Sequence, residues 1–214
     1  KFFSGGIFGS GEAMNKVVVL FSGGVESSCL LYFYLSKEWI VYPAYVITGR
    51  FWEKFEYKRA SALWRYAKKT YPNLMPIRCV VTKTAPTESK FIRTEEELFI
   101  PLRNLTLLTA VGSYALSKDA KHIAIGSLGL YPFPDNDFGY LQKVEALISK
   151  GANTSLKICA PLFGMEKWEV VQKFKGLVPF HLTFSCINPV VRKGKILHCG
   201  KCIKCVERKK AFSI

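Results

Sequence analysis

The sequence contains no apolar run of the length that a membrane-spanning helix requires. Such a helix needs roughly 18 or more mostly apolar residues in succession, and the apolar stretches of this 214-residue chain are all shorter. The N-terminal residues also lack the basic, apolar and small-residue order of a secretory leader. We therefore expect a cytoplasmic protein with no membrane partner.

Acidic residues are scarce relative to basic ones. The chain has 16 Asp and Glu against 31 Lys and Arg, which gives a formal net charge of +15. An excess of this size favours polyanionic partners such as nucleotides and RNA. Because the basic residues are spread along the chain, charge alone leaves tRNA binding an open alternative. A hydrophobic content of 49% excludes general disorder, and the length suits one sizeable domain.

A Walker phosphate loop is also absent. That motif requires a lysine directly after its second glycine, and here Val25 follows Gly24. The chain has instead an octapeptide between a strand-like and a helix-like run, namely Phe21-Ser22-Gly23-Gly24-Val25-Glu26-Ser27-Ser28. Its glycines allow the backbone to approach an anion, its serines offer hydroxyls, and the new helix directs free N–H groups toward a ligand. We call residues 21–28 the phosphate loop; a plain strand-to-helix turn is the alternative interpretation.

Short β-branched runs alternate with longer helical patterns from Lys16 onward, which is typical of βαβ units around a parallel sheet. Strands are predicted at 16–21, 41–47, 77–82, 122–126 and 157–160, and helices at 27–35, 55–69, 104–116, 140–148 and 167–174. The predicted fold class is α/β, with a doubly wound sheet of five mainly parallel strands. In such folds ligands bind at the carboxyl ends of the strands, where the phosphate loop lies.

Four cysteines near the C-terminus have the spacing of a metal site, and they are Cys186, Cys199, Cys202 and Cys205. In a cytosolic protein such a cluster indicates a metal rather than disulfides, and four sulfur ligands leave no open coordination position. We therefore predict a structural Zn²⁺ in a C-terminal knuckle. An iron–sulfur cluster, which also takes four cysteines, is the alternative. His198 adjoins the cluster and is interpreted as a bystander.

The phosphate loop resembles the PP-loop of the ATP pyrophosphatases, which split ATP between its α and β phosphates. Together with the cysteine knuckle, it resembles the 7-cyano-7-deazaguanine synthases of the QueC family. Motifs between the two agree in type and order, and they are Ile100-Pro101-Leu102-Arg103-Asn104, Ile125-Gly126, Ala160-Pro161-Leu162 followed by Lys167 and Glu169, and Thr183-Phe184-Ser185-Cys186. The similarity covers about residues 16 to 212.

The resemblance implies an adenine nucleotide alpha hydrolase-like fold and a set of site residues. Catalytic roles are implied for Glu26, Arg103 and Lys167, and substrate contacts for Asp135 and Asp137. ATP and Mg²⁺ binding is implied for the phosphate loop and its neighbours, Ser22, Gly23, Gly24, Val25, Glu26, Ser27, Ser28, Arg103, Asn104 and Gly126. Arg103 suits a phosphate, Asn104 a nucleotide contact or a helix cap, and Lys167 the charge on leaving pyrophosphate.

The implied reaction begins with attack of a carboxylate of 7-carboxy-7-deazaguanine on the α-phosphate of ATP. Ammonia then gives the amide, and a second activation and dehydration give the nitrile, so the enzyme works by positioning and charge neutralisation. The implied cofactors are ATP, Mg²⁺ and structural Zn²⁺. The partners are the deazapurine carboxylate and ammonia, and the chain is expected to form a homo-oligomer.

The sequence departs from the family pattern at two places. After the second strand, Thr48-Gly49-Arg50-Phe51-Trp52 keeps a glycine but lacks the family's Gln and His. In the substrate loop, Asp137 stands where the family has arginine, and its charge would repel an anionic substrate. Two alternatives therefore remain: a divergent PP-loop enzyme that acts on another acid or a tRNA base, and a non-catalytic zinc-bearing module that binds nucleotides or RNA.

Three segments are expected on these grounds. Residues 1–13 are interpreted as a flexible extension or an expression remnant, residues 14–182 as the PP-loop ATP-binding domain, and residues 183–214 as the zinc-binding segment.

Overall fold

A computed structural model describes residues 14–83, 94 and 96–214. The extension expected at residues 1–13 lies outside the described residues. Within them, a five-stranded sheet has the order β3-β2-β1-β4-β5, and every pairing in it is parallel. Its strands are β1 (Lys16–Leu20), β2 (Ile40–Ile47), β3 (Arg78–Val81), β4 (His122–Ala124) and β5 (Lys157–Cys159).

Helices connect the strands and cover both faces of the sheet. They are α1 (Val25–Leu35), α2 (Glu53–Lys68), α3 (Arg103–Ser117), α4 (Phe138–Gly151), α5 (Lys167–Lys173) and α6 (Ile203–Phe212), with short 3₁₀ turns at Glu96–Leu98 and Phe180–Leu182. No helix in the described ranges combines the length and apolar character that crossing a bilayer would require.

Strand β1 shows why the sheet needs cover on both sides. Successive residues of a strand point to opposite faces, and Val17, Val18 and Val19 are all fully buried. Val17 and Val19 pack in a core with residues of α1, α2 and α5, whereas Val18 packs in a second core with residues of α3 and α4. Burial on both faces explains why this strand reads as a continuous apolar run.

The strand order reverses at β1, which pairs with β2 on one side and β4 on the other. The connection that leaves β1 and the one that leaves β4 therefore part from each other and open a crevice at the carboxyl ends of these strands. The phosphate loop follows β1 directly, and Ile125 and Gly126 follow β4. This topology confirms the predicted fold class, and the predicted strand and helix bounds lie within two residues of the observed ones except at the end of α4, which is three residues further on.

Several features differ from the sequence prediction, and one of them is helix α6, which is not among the five predicted helices. Strand β4 ends at Ala124 rather than at Gly126, because Gly126 leaves the sheet to lie against the first turn of α1, where a Cβ would come within 3.0 Å of the Cβ of Glu26. A second, antiparallel sheet pairs β6 (Val190–Arg192) with β7 (Lys195–Leu197) around a turn at Lys193 and Gly194. Both turn residues have positive φ, at 47° and 73°, which matches the hairpin turns that suit strand twist.

The C-terminal segment packs onto the main domain. Helix α6 contacts α5, and Ala211 of α6 is buried in the same core as α1 and α2. Arg208 donates hydrogen bonds to the hydroxyl of Thr183 at 2.8 Å and to the carbonyl of Phe180 at 2.8 Å. The proposed boundary at residue 183 stays a prediction, but the two parts share one core and one cavity.

Candidate active site

The phosphate loop joins β1 to α1 through two glycines that have different structural roles. Gly23 has φ +78°, and a Cβ there would lie 2.8 Å from the Cα of Ala60 in α2, so only glycine fits without a shift. Gly24 is extended and precedes the first residue of α1, with no side chain capping the helix. The first-turn N–H groups of α1 are therefore directed to the cavity, where an anion is the partner that the helix dipole favours.

Serine hydroxyls shape the inner surface of this loop. Ser22 Oγ accepts a hydrogen bond from the backbone N–H of Gly24 at 3.3 Å and lies 3.2 Å from Ser27 Oγ. Ser27 Oγ in turn donates to the carbonyl of Gly24 at 3.3 Å. The two hydroxyls are thus held by the loop itself, facing the space into which the N–H groups point.

A cavity of about 970 Å³ opens at the carboxyl ends of β1, β2 and β4. Its size lies at the upper end of the usual range for small-molecule sites. The predicted site residues that line it come from four separate stretches of the chain, and they are Ser22, Gly24, Glu26, Ser27, Arg103, Asn104, Gly126, Asp135 and Lys167.

Three residues of the phosphate loop lie behind this surface. Gly23 contacts α2, and its carbonyl accepts a hydrogen bond from the backbone N–H of Phe184 at 2.8 Å. The side chains of Val25 and Ser28 are fully buried, so they support the loop from the core side. Within the described chain these three are not among the cavity-lining residues.

Asp135 and Asn104 form a buried pair at the start of α3. The Asp135 carboxylate accepts a hydrogen bond from the Asn104 backbone N–H at 2.9 Å, and the Asn104 side-chain amide donates to the Asp135 carbonyl at 2.7 Å. The residue before Arg103, Leu102, has left-handed φ of 59°. Asp135 therefore supplies the helix cap that Leu102 lacks, and the pair fixes the point at which Arg103 enters the cavity.

The family resemblance implies a substrate contact for Asp137, but in the structure its partner is the backbone of α4. It is the N-cap of α4, and its carboxylate accepts a hydrogen bond from the Tyr140 backbone N–H at 2.9 Å. Among the described residues, Asp137 is not part of the cavity lining. Its charge thus serves the α4 dipole, and the repulsion of an anionic substrate inferred from sequence does not follow from this placement.

Lys167, the first residue of α5, is held between two carboxylates. Its Nζ lies 2.9 Å from Glu26 Oε1 and 2.9 Å from Glu207 Oε2. The second carboxylate also lies 3.2 Å from Lys204 Nζ, and Glu207 Oε1 accepts a hydrogen bond from the hydroxyl of Tyr131. Cavity side chains from α1, α5, α6 and the loop after β4 therefore form one charged cluster.

The protonation states of this cluster follow from burial and pairing. Burial alone would raise the pKa of Glu26, but the Lys167 ammonium outweighs it and holds that pKa below its ordinary value. Burial would lower the pKa of Lys167, but Glu26 and Glu207 outweigh it and raise that pKa. Both groups are charged at neutral pH, which keeps a cation fixed beside the N-terminus of α1.

Glu207, Tyr131 and Lys204 are not among the site residues predicted from the sequence. The signal available for α6 was the Lys204 and Glu207 spacing, which places both side chains on one face of a helix. Nothing in the sequence indicates that this face meets α5, because that depends on how the C-terminal segment docks.

Another carboxyl group that lines the cavity is Glu56 of α2. It accepts a hydrogen bond from the Tyr45 hydroxyl at 2.8 Å. Burial raises the pKa of Glu56 to about 7, against the lowering effect of that hydrogen bond and of Arg103. Neighbouring Glu53 instead holds the loop after β2, since it accepts hydrogen bonds from the backbone N–H groups of Thr48 at 2.9 Å and Gly49 at 3.0 Å.

Aromatic rings form another part of the cavity wall. The rings of Tyr131 and Phe133 stack with a centroid distance of 5.2 Å and an interplanar angle of 8°. Phe99 packs against Phe133 at 5.3 Å, and Lys204 Nζ lies 4.3 Å from the centre of the Tyr131 ring. Stacked rings with a cation beside them suit a planar aromatic ligand.

The four cysteines converge as the sequence spacing predicts, and they could hold a metal ion. Their sulfur atoms all lie within 4.8 Å of one another, with Sγ separations of 3.9 Å for Cys186 and Cys202 and for Cys199 and Cys205. A tetrahedron with metal–sulfur distances of about 2.3 Å has edges of roughly 3.8 Å, so the donor set fits one ion. Backbone N–H groups point at the sulfurs, including that of Cys199 toward Cys186 at 3.3 Å.

His198 is not part of the group of four ligand atoms. Its Nε2 accepts a hydrogen bond from the Ser185 backbone N–H at 3.3 Å, and its ring packs on Phe184 at 4.6 Å. Burial, with Arg208 and Arg59 nearby, lowers the pKa of His198 to about 4, which keeps the ring neutral as an acceptor.

Comparisons with known proteins agree with this architecture. A family model described as queuosine biosynthesis protein QueC matches residues 16–214. The 7-cyano-7-deazaguanine synthase of Leptospira interrogans is 31% identical in an alignment that covers 92% of this chain and 86% of that protein. The 7-cyano-7-deazaguanine synthase 1 of Desulfitobacterium hafniense is 27% identical in an alignment that covers 94% of this chain and 92% of that protein.

Among solved structures, a 4-thiouridine synthetase in complex with RNA and bound ATP is similar with a TM-score of 0.54 and 15% sequence identity. The match covers 93% of this chain and 50% of that one. At this level of identity the similarity concerns the fold, a parallel α/β sheet with the loop after β1 at its carboxyl edge.

Proposed function

The chain belongs to the QueC family of queuosine biosynthesis proteins, and we propose on this basis that it is an ATP-dependent, AMP-forming ligase that converts 7-carboxy-7-deazaguanine to the 7-cyano compound. The single observation that supports this most directly is the placement of Lys167 against Glu26. A partly buried lysine, the N-terminus of α1 and Arg103 all face one cavity. That arrangement suits a triphosphate that is cleaved between its α and β phosphates.

The proposed first step forms an acyl adenylate. A carboxylate oxygen of the acid attacks the α-phosphorus of ATP, the bond to the bridging oxygen breaks, and pyrophosphate leaves with the electron pair. Lys167 and Arg103 neutralise the negative charge that develops on the leaving group, while the N–H groups after Gly24 hold the phosphate oxygens. Ammonia then displaces AMP to give the amide, with one proton lost from the nitrogen.

The second half of the reaction repeats the same chemistry on the amide. The amide oxygen attacks the α-phosphorus of a second ATP, and loss of AMP and two protons gives the nitrile. One set of phosphate contacts serves both halves, because in each an oxygen of the acceptor attacks the same phosphorus. The enzyme contributes position and charge, and no covalent bond to the protein is needed.

The cofactor residues follow from the same geometry. Mg²⁺ would be held by the Glu26 carboxylate together with the phosphates, and it would neutralise charge on the triphosphate. Zn²⁺ would be held by the four cysteines of the knuckle, where a closed set of sulfur ligands makes it structural. On the acceptor side, the stacked rings of Tyr131 and Phe133 would contact the planar deazapurine.

The reaction is tested by incubating the protein with ATP, Mg²⁺, ammonium and 7-carboxy-7-deazaguanine. We expect AMP and pyrophosphate, and a product with the mass of the nitrile. The matched variant Lys167→Met keeps most of the side-chain volume and should lower kcat by about 10² to 10³-fold, since it removes a preorganised charge. Production of ADP would contradict AMP-forming chemistry. AMP without nitrile would indicate a different acceptor, such as another acid or a base in tRNA.

A further inference from the structure

We propose that Glu207 is a positioning residue for this reaction: from α6, in the cysteine knuckle, it holds Lys167 and Lys204 in the cavity. The knuckle then contributes to the reaction as well as to the stability of the fold. This inference rests on the proposed function, because the process in which Lys167 acts is the cleavage of ATP.

The contacts of Glu207 connect otherwise separate parts of the cavity. One carboxylate oxygen lies 2.9 Å from Lys167 Nζ and 3.2 Å from Lys204 Nζ. The other accepts the Tyr131 hydroxyl. A single side chain thus links α5, α6 and the aromatic wall, and through Lys167 it reaches Glu26 at the phosphate loop, 2.9 Å further on.

The position of Glu207 is fixed from both directions along α6. Cys202 is the N-cap of the helix and Cys205 lies in its first turn, so two of the four metal-site sulfurs set where the helix begins. Arg208 is anchored by the hydroxyl of Thr183, and Ala211 is buried in the main core. Glu207 lies between these anchors, and its carboxylate cannot move far without moving the knuckle.

The ion pairs of Glu207 are partly shielded from solvent, so they can hold the two lysines in place. The side chains of Lys167, Lys204 and Glu207 are 15%, 23% and 22% exposed. Ion pairs between fully exposed side chains contribute little, whereas a partly buried pair that shares hydrogen bonds holds its groups in one geometry. The ammonium of Lys167 therefore has two anchors, Glu26 and Glu207.

Binding of the nucleotide changes the balance between those anchors. Glu26 is at the phosphate loop, and in the proposed reaction its carboxylate serves Mg²⁺. Glu207 contacts Lys167 from a different helix, α6, so it remains as the tether when Glu26 takes that role. Glu26, Lys167, Lys204 and Glu207 together carry no net charge when all four are ionised. Removal of the Glu207 carboxylate leaves one unit of positive charge, which attracts a triphosphate more strongly.

These two effects have opposite signs for binding and turnover, and the test uses both. Glu207→Gln should lower kcat by about 10 to 100-fold, because the reacting geometry loses a tether. The dissociation constant for the non-cleavable analogue α,β-methylene-ATP should stay equal or fall by up to about tenfold. Glu207→Asp, which keeps the charge on a shorter stem, should recover part of the lost kcat.

The matched control is Asp119→Asn, which removes one carboxylate in a surface pair with Lys16 and Lys121, away from the cavity. It should match the wild-type protein in kcat and nucleotide affinity. Metal content and Tm are measured on every variant. Each variant should retain one metal ion per chain, and Tm shows whether it is folded.

Several results would overturn the inference. Unchanged kcat in Glu207→Gln would do so, and so would a joint loss of affinity, turnover and metal that Glu207→Asp does not relieve, since that pattern describes a purely structural residue. If the wild-type protein forms no AMP with any acid, the proposed function fails. The analogue measurement still applies in that case, and weaker binding by Glu207→Gln would contradict the tether.

Discussion

The phosphate loop and the cysteine knuckle face the same cavity from opposite ends of the chain, and they are built by different means. The loop is eight contiguous residues, and it presents backbone N–H groups that the core strand β1 and helix α1 hold in place. The knuckle presents side chains of α6 to the cavity, and its own core is small, formed by Phe184, Cys186, Ile187, Cys202 and Cys205.

The phosphate loop and the knuckle form two walls of the cavity, and they differ in what stabilises each of them. Burial of apolar side chains in the main core fixes the phosphate loop, so the geometry there needs no cofactor. The knuckle's own core is small, and the four convergent sulfurs could hold a metal ion that would add to its stability. The two walls meet directly where the Phe184 backbone N–H donates to the Gly23 carbonyl at 2.8 Å.

The largest effect is expected from breaking the sulfur set. Cys202→Ser should abolish metal retention and lower the free energy of unfolding by at least about 4 kcal/mol, because loss of a structural metal is among the most damaging single changes. For a chain of this size that corresponds to a fall in Tm of roughly 8 to 16 °C. Metal analysis and thermal unfolding measure both quantities, and ligase activity should fall because α6 carries Glu207.

The control for this change is Cys79→Ser, at a partly buried cysteine of β3 outside the sulfur set. It should keep one metal ion per chain. Retention of the metal and of full activity by Cys202→Ser would show that the knuckle does not depend on the four-sulfur site.

An intermediate effect is expected from the phosphate loop. Gly23→Ala combines a positive φ with a clash, since the new Cβ would lie 2.8 Å from the Cα of Ala60. The strained φ costs about 1 to 2 kcal/mol and the overpacking about 1 to 3 kcal/mol. Denaturant unfolding measures the loss of stability, and nucleotide affinity should fall as the loop shifts, while the metal content stays unchanged.

Gly176→Ala separates the two causes. Gly176 has φ +85°, but a Cβ there would meet nothing within 4 Å. This variant should lose only the strain contribution. Equal losses of stability in the two variants would mean that the close approach of α2 to the loop carries no energy.

The smallest effect is expected from a change outside both walls. The pKa of Glu56 is raised by burial to about 7, so the folded protein holds a proton there that the unfolded chain releases near pH 4.5. Stability from this group is full below about pH 4.5 and is lost as pH rises through 7. Glu56→Gln, which can still accept the Tyr45 hydroxyl, should remove that part of the decline.

The measurement is Tm at pH 5.5, 6.5, 7.5 and 8.5 for wild type, Glu56→Gln and the exposed-site control Glu38→Gln. The difference between Glu56→Gln and wild type should grow with pH in favour of the variant, by roughly 4 to 8 °C from pH 5.5 to pH 8.5. A constant difference across this range would rule out a raised pKa at Glu56.

Sequence reasoning predicted elements better than it predicted partners. The predicted strands and helices appear within about three residues of their expected bounds, because periodicity and glycine placement are local signals, whereas helix α6 was not predicted. The β6–β7 hairpin was missed, since its strands have only three residues each and are largely exposed. Asp135 and Asp137 show the limit for sites: they are two residues apart, yet one caps α3 beside the cavity and the other caps α4 outside it.

The sequence by itself determined the α/β fold class, the family, the phosphate loop and the cysteine quartet. Each of these depends on spacing within a short stretch or on the order of apolar runs, and such patterns are readable without coordinates. Only the tertiary structure decided that Glu207 meets Lys167 and Tyr131, residues 40 and 76 positions away in the chain. Contacts over such distances depend on how α6 docks against α5, and that is set by packing of the whole chain.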